Sequence, residues 1–452
     1  MVFRKSKATA RRERGRSARR ARTAPPEAGD SPRARAAASP RARRSAAPPV
    51  AAPPVATQPV TDGPRAAAPS PEKPIAQAPA PATPSPARRA AKGARRAQPG
   101  PSAESFVVRE AQPRDLDAIL ALARHLDSVN LPAHRETLRQ KLKRSRESFL
   151  GKVQDPHARE YLFVLEGTES GHIAGTSMLF AQHGTSSAPH IYFDVVRDER
   201  YSLTLDRHFS HVALRLGFNF RGPTEIGGLV LDPSYRAFGL GKHLSYVRFL
   251  FIAMYRSRFR PQVIAELMPP LLPDGRSELW EHLGRHFTGL SYQEADKLSQ
   301  SNKEFITALF PQTPLYASLL PPDVAGRIGE VGEQTKGVRR MLEAIGFEYS
   351  ERIDPFDGGP HFEAETDDIT LIRSARLGLV DRTVLAEAAL EPKGDEADTT
   401  RVLVGYGAPE GPCRFRAMAT RARFHGGSVV LAASVRRRLA LEPGDNIWTM
   451  PF

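Results

Sequence analysis

The sequence "YRAFGLGKHL", residues 235–244, is the most informative segment of the chain for its fold. It follows "TEIGGLVLDP", an apolar run that ends in turn residues, and precedes "LSYVRFLFIAMYRSRF", which has the length and apolar content of a buried helix. An arginine and two glycines therefore stand between a predicted strand and a predicted helix. Backbone N–H groups at a helix N-terminus, together with the helix dipole, favour a bound phosphate. The stretch predicts a phosphate-binding turn.

Three phosphate-binding motifs compete for this turn. A P-loop requires Ser or Thr after its lysine, but Lys242 is followed by His243. A dinucleotide fingerprint requires a third Gly or Ala that this chain lacks at the right spacing. The remaining pattern, R-x-x-G-x-G, is satisfied by Arg236, Gly239 and Gly241, and its glycines let the main chain approach a pyrophosphate closely. The simpler alternative is a loop that only joins a strand to a helix.

Composition divides the 452 residues near position 104. Residues 1–104 hold 19 of the 40 prolines and carry 22 Lys and Arg against 6 Asp and Glu, whereas the remaining residues are nearly balanced at 43 against 44. A segment this poor in large apolar residues is expected to be a disordered basic tail. Its charge could attract nucleic acid nonspecifically, although a solubilising extension is the simpler interpretation.

Cysteine content and hydropathy indicate in which kind of cellular compartment the protein is expected. Cys413 is the single cysteine, which excludes an internal disulfide or a cysteine-based zinc cluster and suits a reducing compartment. No apolar stretch reaches the roughly 18 residues that a membrane span needs, and the N-terminus lacks an apolar signal core. We expect a cytoplasmic protein without membrane contact.

The order of predicted elements beyond the tail is helix, helix, hairpin, strand, glycine turn, helix, strand, helix. This order indicates an α/β (α+β layered) domain around one mixed central sheet, which we expect over residues 105–375. Residues 181–222 give no clear pattern. Short β-like runs such as "RVLVGY" and "SVVLAA" predict a small β-rich module over residues 376–452.

The element order and the R-x-x-G-x-G motif resemble the acyl-CoA N-acyltransferase superfamily. Residues 106 to about 375 resemble, more closely, its arginine N-succinyltransferase family. The resemblance lies in colinear stretches, among them "LVLDPSYRAFGLGKHLSYVRFLFIAMYRSRF" (229–259), "VIAEL" followed by Trp280, "ADKLSQSNKEFITALFPQTPLY" (295–316), "IGEVGEQTKGVRRMLEAIGF" (328–347) and "IDPFDGGPHFEAE" (353–365). The tail lies outside it.

The resemblance implies transfer of a succinyl group from succinyl-CoA to the α-amine of L-arginine, by direct attack in a ternary complex. It also implies an assembly of several subunits. In the superfamily the strand before the glycine turn pairs with the pantetheine arm, and the turn takes the pyrophosphate. The residues that the resemblance assigns to the coenzyme are Leu229, Val230 and Leu231 on the strand, and Arg236, Ala237, Phe238, Gly239, Leu240 and Gly241 in the turn.

Three positions depart from the family's pattern. Gly332 stands where the family has its proposed proton-donor histidine. Met268 and Pro269 replace an Arg-Gly pair, and "YFDVV" (192–196) replaces a stretch with a second cation. Arginine binds a carboxylate through two hydrogen bonds, so these losses predict weaker selectivity for a succinyl donor. They leave two alternatives open: an N-acyltransferase with another donor or amine, and a catalytically impaired coenzyme-binding protein with a binding or regulatory role.

An ammonium group must lose a proton before it attacks a thioester, so the reaction requires a base. Glu266 is the candidate because its strand should flank the opening of the central sheet; a structural ion pair is the alternative. His243, expected to contact phosphate or solvent, and His286, expected to cap or pack, are weaker candidates.

The loop "DPFDGGPHFE" (354–363) brings acidic residues and a histidine together. Its Gly-Gly-Pro core is typical of a tight turn between strands, and the resembled family carries the same loop without a metal. We expect no metal site in the chain.

Overall fold

A computed structural model describes residues 104–125, 130–185, 188–299, 302–390 and 399–452. These residues belong to one compact unit, Ala91–Phe452. The expected tail, with its disorder and its contact with nucleic acid, falls outside them apart from Glu104. Among the described residues, no helix combines the length and the apolar character needed to cross a membrane.

Fifteen strands form in the described part of the chain. They are β1 (Phe106–Glu110), β2 (Glu160–Gly167), β3 (Ile173–Phe180), β4 (His190–Ser202), β5 (Arg207–Asn219), β6 (Thr224–Leu231), β7 (Gln262–Glu266), β8 (Leu315–Tyr316), β9 (Glu348–Ile353), β10 (Pro360–Glu365), β11 (Arg376–Leu385), β12 (Thr400–Gly407), β13 (Phe415–His425), β14 (Ser428–Ala432) and β15 (Asn446–Pro451). The predicted hairpin and the two predicted central strands correspond to β2–β3, β6 and β7.

Ten α-helices accompany these strands within the described residues. They are α1 (Leu116–Ala123), α2 (Arg135–Phe149), α3 (Leu240–Met254), α4 (Arg285–Thr288), α5 (Tyr292–Ser299), α6 (Glu304–Leu309), α7 (Pro322–Gly326), α8 (Lys336–Glu343), α9 (Thr370–Ser374) and α10 (Ala433–Leu439). The helix expected around Trp280 begins as a π-turn, Trp280–Gly284, and continues as α4.

The central helix α3 is largely apolar, and most of its length is covered by other elements. Every residue from His243 to Ile252 is buried. The helix packs on β3 and β6 of the central sheet and contacts β12, β15 and α9 on its other side. A helix in such a position needs no polar face.

The strands form one mixed sheet in the order β12-β15-β11-β14-β13-β1-β2-β3-β6-β7-β10-β9-β4-β5-β8. β12 also pairs with β13, so the five C-terminal strands close on themselves as a small barrel. This barrel joins the central sheet where β13 pairs with β1. The α/β layered fold class, with a mixed central sheet and a β-rich C-terminal part, is confirmed.

An aromatic cluster joins the barrel to the central sheet. Phe415 on β13 meets Phe251 of α3 edge-to-face at 5.1 Å between ring centroids, and Phe163 of β2 at 5.4 Å. Phe149 of α2 lies 5.3 Å from Phe251. Since Phe415 is only 1% exposed, truncating it would remove contacts with three elements at once.

We therefore expect Phe415→Ala to destabilise the chain by about 3–5 kcal/mol, the range for deleting a buried aromatic side chain. Phe424→Ala is the matched control, because Phe424 lies on the same strand but is 48% exposed. Denaturant unfolding followed by circular dichroism measures both. Equal shifts of the two midpoints would contradict this account of the junction.

Candidate active site

The central sheet opens between β6 and β7. The two strands run parallel and pair at their first residues, with the last pair joining Glu225 to Ile264. Beyond that pair, β6 continues to Leu231 and β7 to Glu266 while the pairing between them has ended. Main-chain polar groups of two adjacent strands therefore face a gap, where an extended ligand can pair with them.

A β-bulge in β6 lies beside this gap. Gly228 and Leu229 together face a single residue of β3. Gly228 has a φ of +55°, and a Cβ at this position would lie 2.7 Å from Cγ of Met178. Thr176 donates a hydrogen bond from Oγ1 to the Gly228 carbonyl at 3.1 Å. Such a bulge bends the strand and redirects its backbone groups.

A buried guanidinium ties α3 to the same bulge. Arg248 is 2% exposed and donates hydrogen bonds to the Ser245 carbonyl at 3.0 Å and to Ser245 Oγ at 2.8 Å. It also reaches the Gly227 carbonyl at 3.4 Å. Burial lowers the pKa of Arg248 to about 9. The arginine thus fixes the helix against the strand at the point where the strand bends.

The glycine turn connects the end of β6 to α3. A 3-10 turn, Pro233–Phe238, leads to Gly239, whose left-handed φ of +70° requires glycine, and α3 begins at the next residue. The backbone at Gly241 does not require glycine, since its φ lies outside the left-handed region. A Cβ at either glycine would meet no described atom within 4 Å. The turn therefore leaves room over its backbone for a ligand.

The residues that the sequence assigned to the coenzyme lie along this path. Val230 is buried, while Leu229 and Leu231 are half-buried against the core around α3. Arg236 and Phe238 are exposed on the 3-10 turn that also contains the backbone of Ala237, and Leu240 is the first residue of α3. The structure thus brings these positions into one continuous surface from strand to helix.

Glu266, at the end of β7, lies among three histidines. His190 donates a hydrogen bond from Nε2 to Glu266 Oε1 at 3.1 Å. His361, the direct cross-strand partner of Glu266 on β10, has its Nε2 3.7 Å from the same oxygen. The His183 ring lies 4.4 Å from the His190 ring. Glu266 retains 27% of its side-chain exposure, whereas His190 and His361 are buried.

The charges of this cluster are set by burial and by the shared carboxylate. Burial alone would raise the pKa of Glu266, but the hydrogen bond from His190 and the other two imidazoles hold that pKa well below its usual range. Burial lowers the pKa of His190 to about 3 and that of His361 to about 4. At neutral pH one carboxylate therefore faces two neutral imidazoles.

Two acidic residues of the neighbouring loop add to the cluster. Burial and the charge of Glu266 raise the pKa of Asp354 to about 7. Burial and the charge of Asp354 raise the pKa of Asp357 well above its usual range. The loop that the sequence presents as a turn between strands does form that turn, since Gly358 has a φ of +81°. It also lies against Glu266, which the turn pattern does not reveal.

His243 is not where the sequence analysis expected it. Its ring is 3% exposed and packs at 5.8 Å from the ring of Phe452, so it contacts the protein interior rather than phosphate or solvent. Burial and the charge of Arg401 lower its pKa to about 3. His286 is exposed on α4. Neither histidine belongs to the cluster around Glu266.

Gly332 is held against the residues that follow Glu266. Its N–H donates a hydrogen bond to the Met268 carbonyl at 2.9 Å, and Thr335 Oγ1 donates to the same oxygen at 2.9 Å. A Cβ on Gly332 would lie 2.7 Å from the Pro269 carbonyl oxygen. Because the obstacle is backbone, a histidine cannot occupy this position without a main-chain shift. Two departures from the family's pattern are therefore in direct contact.

The stretch 192–196, the third departure from the family's pattern, contains a carboxylate held by ion pairs. Asp194 on β4 lies within this stretch, and it forms ion pairs with Arg215 and Arg352, each at 3.1 Å. The Arg352 guanidinium lies over the ring of Tyr192 at 4.4 Å. A carboxylate held by two arginines cannot itself bind a substrate carboxylate.

Two family profiles and two curated relatives match this chain. A family profile described as "Arginine N-succinyltransferase beta subunit" matches residues 106–371, and a second, for the C-terminal domain of that subunit, matches residues 383–451. The chain is 36% identical over 292 residues to "Arginine N-succinyltransferase" of Yersinia pestis, covering 64% of this chain and 83% of that one. It is 33% identical over 349 residues to "Arginine N-succinyltransferase subunit beta" of Pseudomonas aeruginosa, covering 76% and 98%.

A solved structure agrees with these matches. It is "The structure of arginine/ornithine succinyltransferase subunit AI from Pseudomonas aeruginosa", with a TM-score of 0.63 and 27% sequence identity over 76% of this chain and 98% of that one. The match covers nearly the whole of that subunit, and the family profile covers more than half of this chain. The chain belongs to the arginine N-succinyltransferase beta subunit family.

Proposed function

We propose that this protein transfers the succinyl group of succinyl-CoA to the α-amine of L-arginine, giving N-succinylarginine and free coenzyme A. The observation that carries the proposal is the gap between β6 and β7, which has the glycine turn at one end and Glu266 at the other. Family membership supports the substrates. In this arrangement the backbone of Leu229, Val230 and Leu231 pairs with the pantetheine arm, and residues 236–241 hold the pyrophosphate.

The proton of the α-ammonium leaves through the cluster around Glu266. The carboxylate attracts the ammonium group and accepts its proton, while the hydrogen bond that His190 donates from Nε2 holds the carboxylate in place. Once deprotonated, the nitrogen attacks the thioester carbonyl and a C–N bond forms. The C–S bond then breaks, and the second proton lost by the nitrogen passes to the leaving thiolate, which gives the amide and free coenzyme A. Backbone N–H groups beside the bulge are suited to stabilise the oxyanion. Glu266 thus supplies a proton acceptor, whereas Gly332 leaves the position of the family's proton donor without a side chain that can transfer a proton.

A thiol-release assay tests the activity directly. We expect release of free coenzyme A only when succinyl-CoA and L-arginine are both present, with N-succinylarginine identified by mass spectrometry. Acetyl-CoA as donor, and ornithine as amine, define the specificity. Saturable coenzyme A binding without turnover for any pair would favour the second candidate, a binding protein. The observation that favours that candidate is the main-chain packing at Gly332.

Glu266→Gln removes the proton acceptor but keeps the size of the side chain. We expect kcat to fall by about 100-fold or more, in the range for loss of a general base, while the Kd for coenzyme A is unchanged. Steady-state kinetics and calorimetric titration measure the two quantities. Glu365→Gln is the control, since Glu365 is exposed on β10 beside β7 and hydrogen-bonds Gln262. A kcat within about threefold of the wild-type value would reject Glu266 as the base.

Gly241→Val tests the turn. A Cβ there meets open space, so we expect the melting temperature to stay the same while the branched side chain blocks the pyrophosphate and weakens coenzyme A binding by at least about tenfold, or ~1.4 kcal/mol. Gly337→Val is the matched control, because Gly337 lies at the same position of α8, also with open space around it. Calorimetry with coenzyme A measures both variants. Unchanged affinity in Gly241→Val would place the coenzyme elsewhere.

Lys303 is a candidate to bind the α-carboxylate of the amine. It is half-buried, and its positive charge opposes protonation of His183, His361 and Asp354. Among the described residues, no acidic side chain forms an ion pair with it. The α-amine and the α-carboxylate of arginine share one carbon atom. A lysine whose charge acts on the cluster is therefore suited to hold the carboxylate, although two cations of the family's pattern are missing.

Lys303→Met tests this role with two amines. We expect the KM for arginine to rise by about tenfold or more, since a charge-assisted hydrogen bond contributes about 1.5–3 kcal/mol. Agmatine, the analogue without the carboxylate, should be used equally well by the variant and the wild type. Lys297→Met, which changes an exposed lysine of α5, is the control. A preference for arginine over agmatine that survives in Lys303→Met would exclude Lys303 as the carboxylate anchor.

The remaining proposals concern organisation. The matched ranges of the two family profiles support a boundary near residue 375, with an acyltransferase domain at 105–375 and a β-rich module at 376–452. Assembly with a second copy or a sister subunit is supported by the β4–β5 hairpin, which exposes the apolar side chains Tyr201, Leu203, Leu205, Phe209 and Phe218. Contact of the tail with nucleic acid and a cytoplasmic location stay predictions from the sequence.

A further inference from the structure

The histidine cluster has the donor set of a transition-metal site. His183, His190 and Glu266 each offer one ligand atom, and these atoms lie within 4.8 Å of one another. The closest pair, His190 Nε2 and Glu266 Oε1, is 3.1 Å apart. Ligands of a tetrahedral Zn²⁺ at about 2.0–2.1 Å from the ion are roughly 3.3 Å apart. Small side-chain rotations would therefore bring all three atoms to bonding distance.

A carboxylate stands behind one of these histidines. His183 Nδ1 lies 2.7 Å from Glu225 Oε2, close enough for a charge contact although the atoms are not aligned as a hydrogen bond. Asn130 in turn donates a hydrogen bond from Nδ2 to Glu225 Oε1 at 2.6 Å. Histidines that bind metals commonly direct their second ring nitrogen at a carboxylate, which fixes the ring. With Nδ1 directed at Glu225, Nε2 is the ring nitrogen of His183 that would bind a cation.

A second observation independently indicates a missing partner beside Glu266. His361 is fully buried, and within the described residues neither of its ring nitrogens has a hydrogen-bond partner. Its Nε2 lies 3.7 Å from Glu266 Oε1, and Asp354 completes a second group of close ligand atoms around the same carboxylate. Buried polar atoms without partners are rare and costly. A cation at Glu266 would give His361 a partner.

We propose that His183, His190 and Glu266 bind one divalent transition-metal ion, such as Zn²⁺, with His361 next to its open coordination position. Two imidazoles and one carboxylate favour zinc, cobalt or nickel over magnesium and calcium, which prefer oxygen ligands. Residues 1–104 contain no histidine, and the single cysteine is the buried Cys413, outside this cluster.

The ion would bind the carboxylate of Glu266, which the proposed reaction uses as its base. Metal binding does not depend on the proposed reaction. The effect of the metal on turnover does rest on the proposed function: we expect Zn²⁺ to inhibit succinyl transfer in competition with the amine, because the bound ion takes up the lone pairs of Glu266. The binding and turnover measurements can therefore fail separately.

Titration of the full chain, without a histidine tag and after dialysis against a chelator, tests the site. We expect Zn²⁺ to bind with a stoichiometry near one by calorimetry, and Co²⁺ to give the visible absorption bands of a tetrahedral or five-coordinate complex. His190→Gln and His183→Gln should each weaken binding by about tenfold or more. His286→Gln, which alters an exposed histidine outside the cluster, should bind like the wild type.

Circular dichroism and melting temperature establish that each variant is folded. His183 is partly exposed, so His183→Gln provides the decisive comparison if His190→Gln does not fold. The absence of saturable Zn²⁺ and Co²⁺ binding to the wild type would overturn the proposal. Equal affinity in His183→Gln and His286→Gln would also overturn it, since binding would then lie elsewhere on the surface.

Discussion

The site depends on the divergence of two parallel strands. β6 and β7 pair at their beginnings and then separate, because β6 contains the bulge at Gly228 and Leu229 while β7 stays paired with β10. Without this separation, the backbone groups beyond Glu225 and Ile264 would satisfy each other and no extended ligand could enter. Thr176 and Arg248 hold the bulge from two sides, through carbonyl groups that a straight strand would use in its ladder.

The positions where the chain departs from its family form two structured patches rather than scattered losses. Gly332 and Met268 are hydrogen-bonded to each other, and Pro269 fills the volume that a side chain at Gly332 would need. Asp194 is neutralised by two arginines. Glu266 has three histidines close to it. In the proposed reaction this carboxylate therefore has partners other than those that the resemblance implies.

Local pattern was enough to predict the elements that line the gap. The apolar runs of β2, β3 and β6, the glycine turn and the long α3 are each encoded within a few neighbouring residues. The β4–β5 hairpin was not recognised, because its strands are largely exposed and lack the alternation of a half-buried sheet. Closure of the barrel depends on the non-local pairing of β12 with β13, which no short pattern reveals.

The cluster around Glu266 escaped prediction for the same reason. His183, His190, Glu266 and His361 come from four separate segments, and only sheet register brings them together: His361 is the cross-strand partner of Glu266, and β4 joins the same sheet through β9. The sequence offered one usable signal, the histidine directly after the Gly-Gly-Pro turn. Pairing of β10 with β7 places this histidine, His361, opposite Glu266.

The contact between Phe452 and the first turn of α3 has a consequence for cooperativity. The ring of Phe452 lies 5.1 Å from Lys242 Nζ and 5.8 Å from the His243 ring, immediately after the glycine turn, and the Arg401 guanidinium lies over its face at 4.9 Å. The barrel therefore supports the helix that begins directly after the glycine turn. Because no hinge separates the barrel from that helix, thermal unfolding of the barrel also disrupts the helix. We therefore expect the two parts of the sheet to unfold as one cooperative unit rather than one after the other.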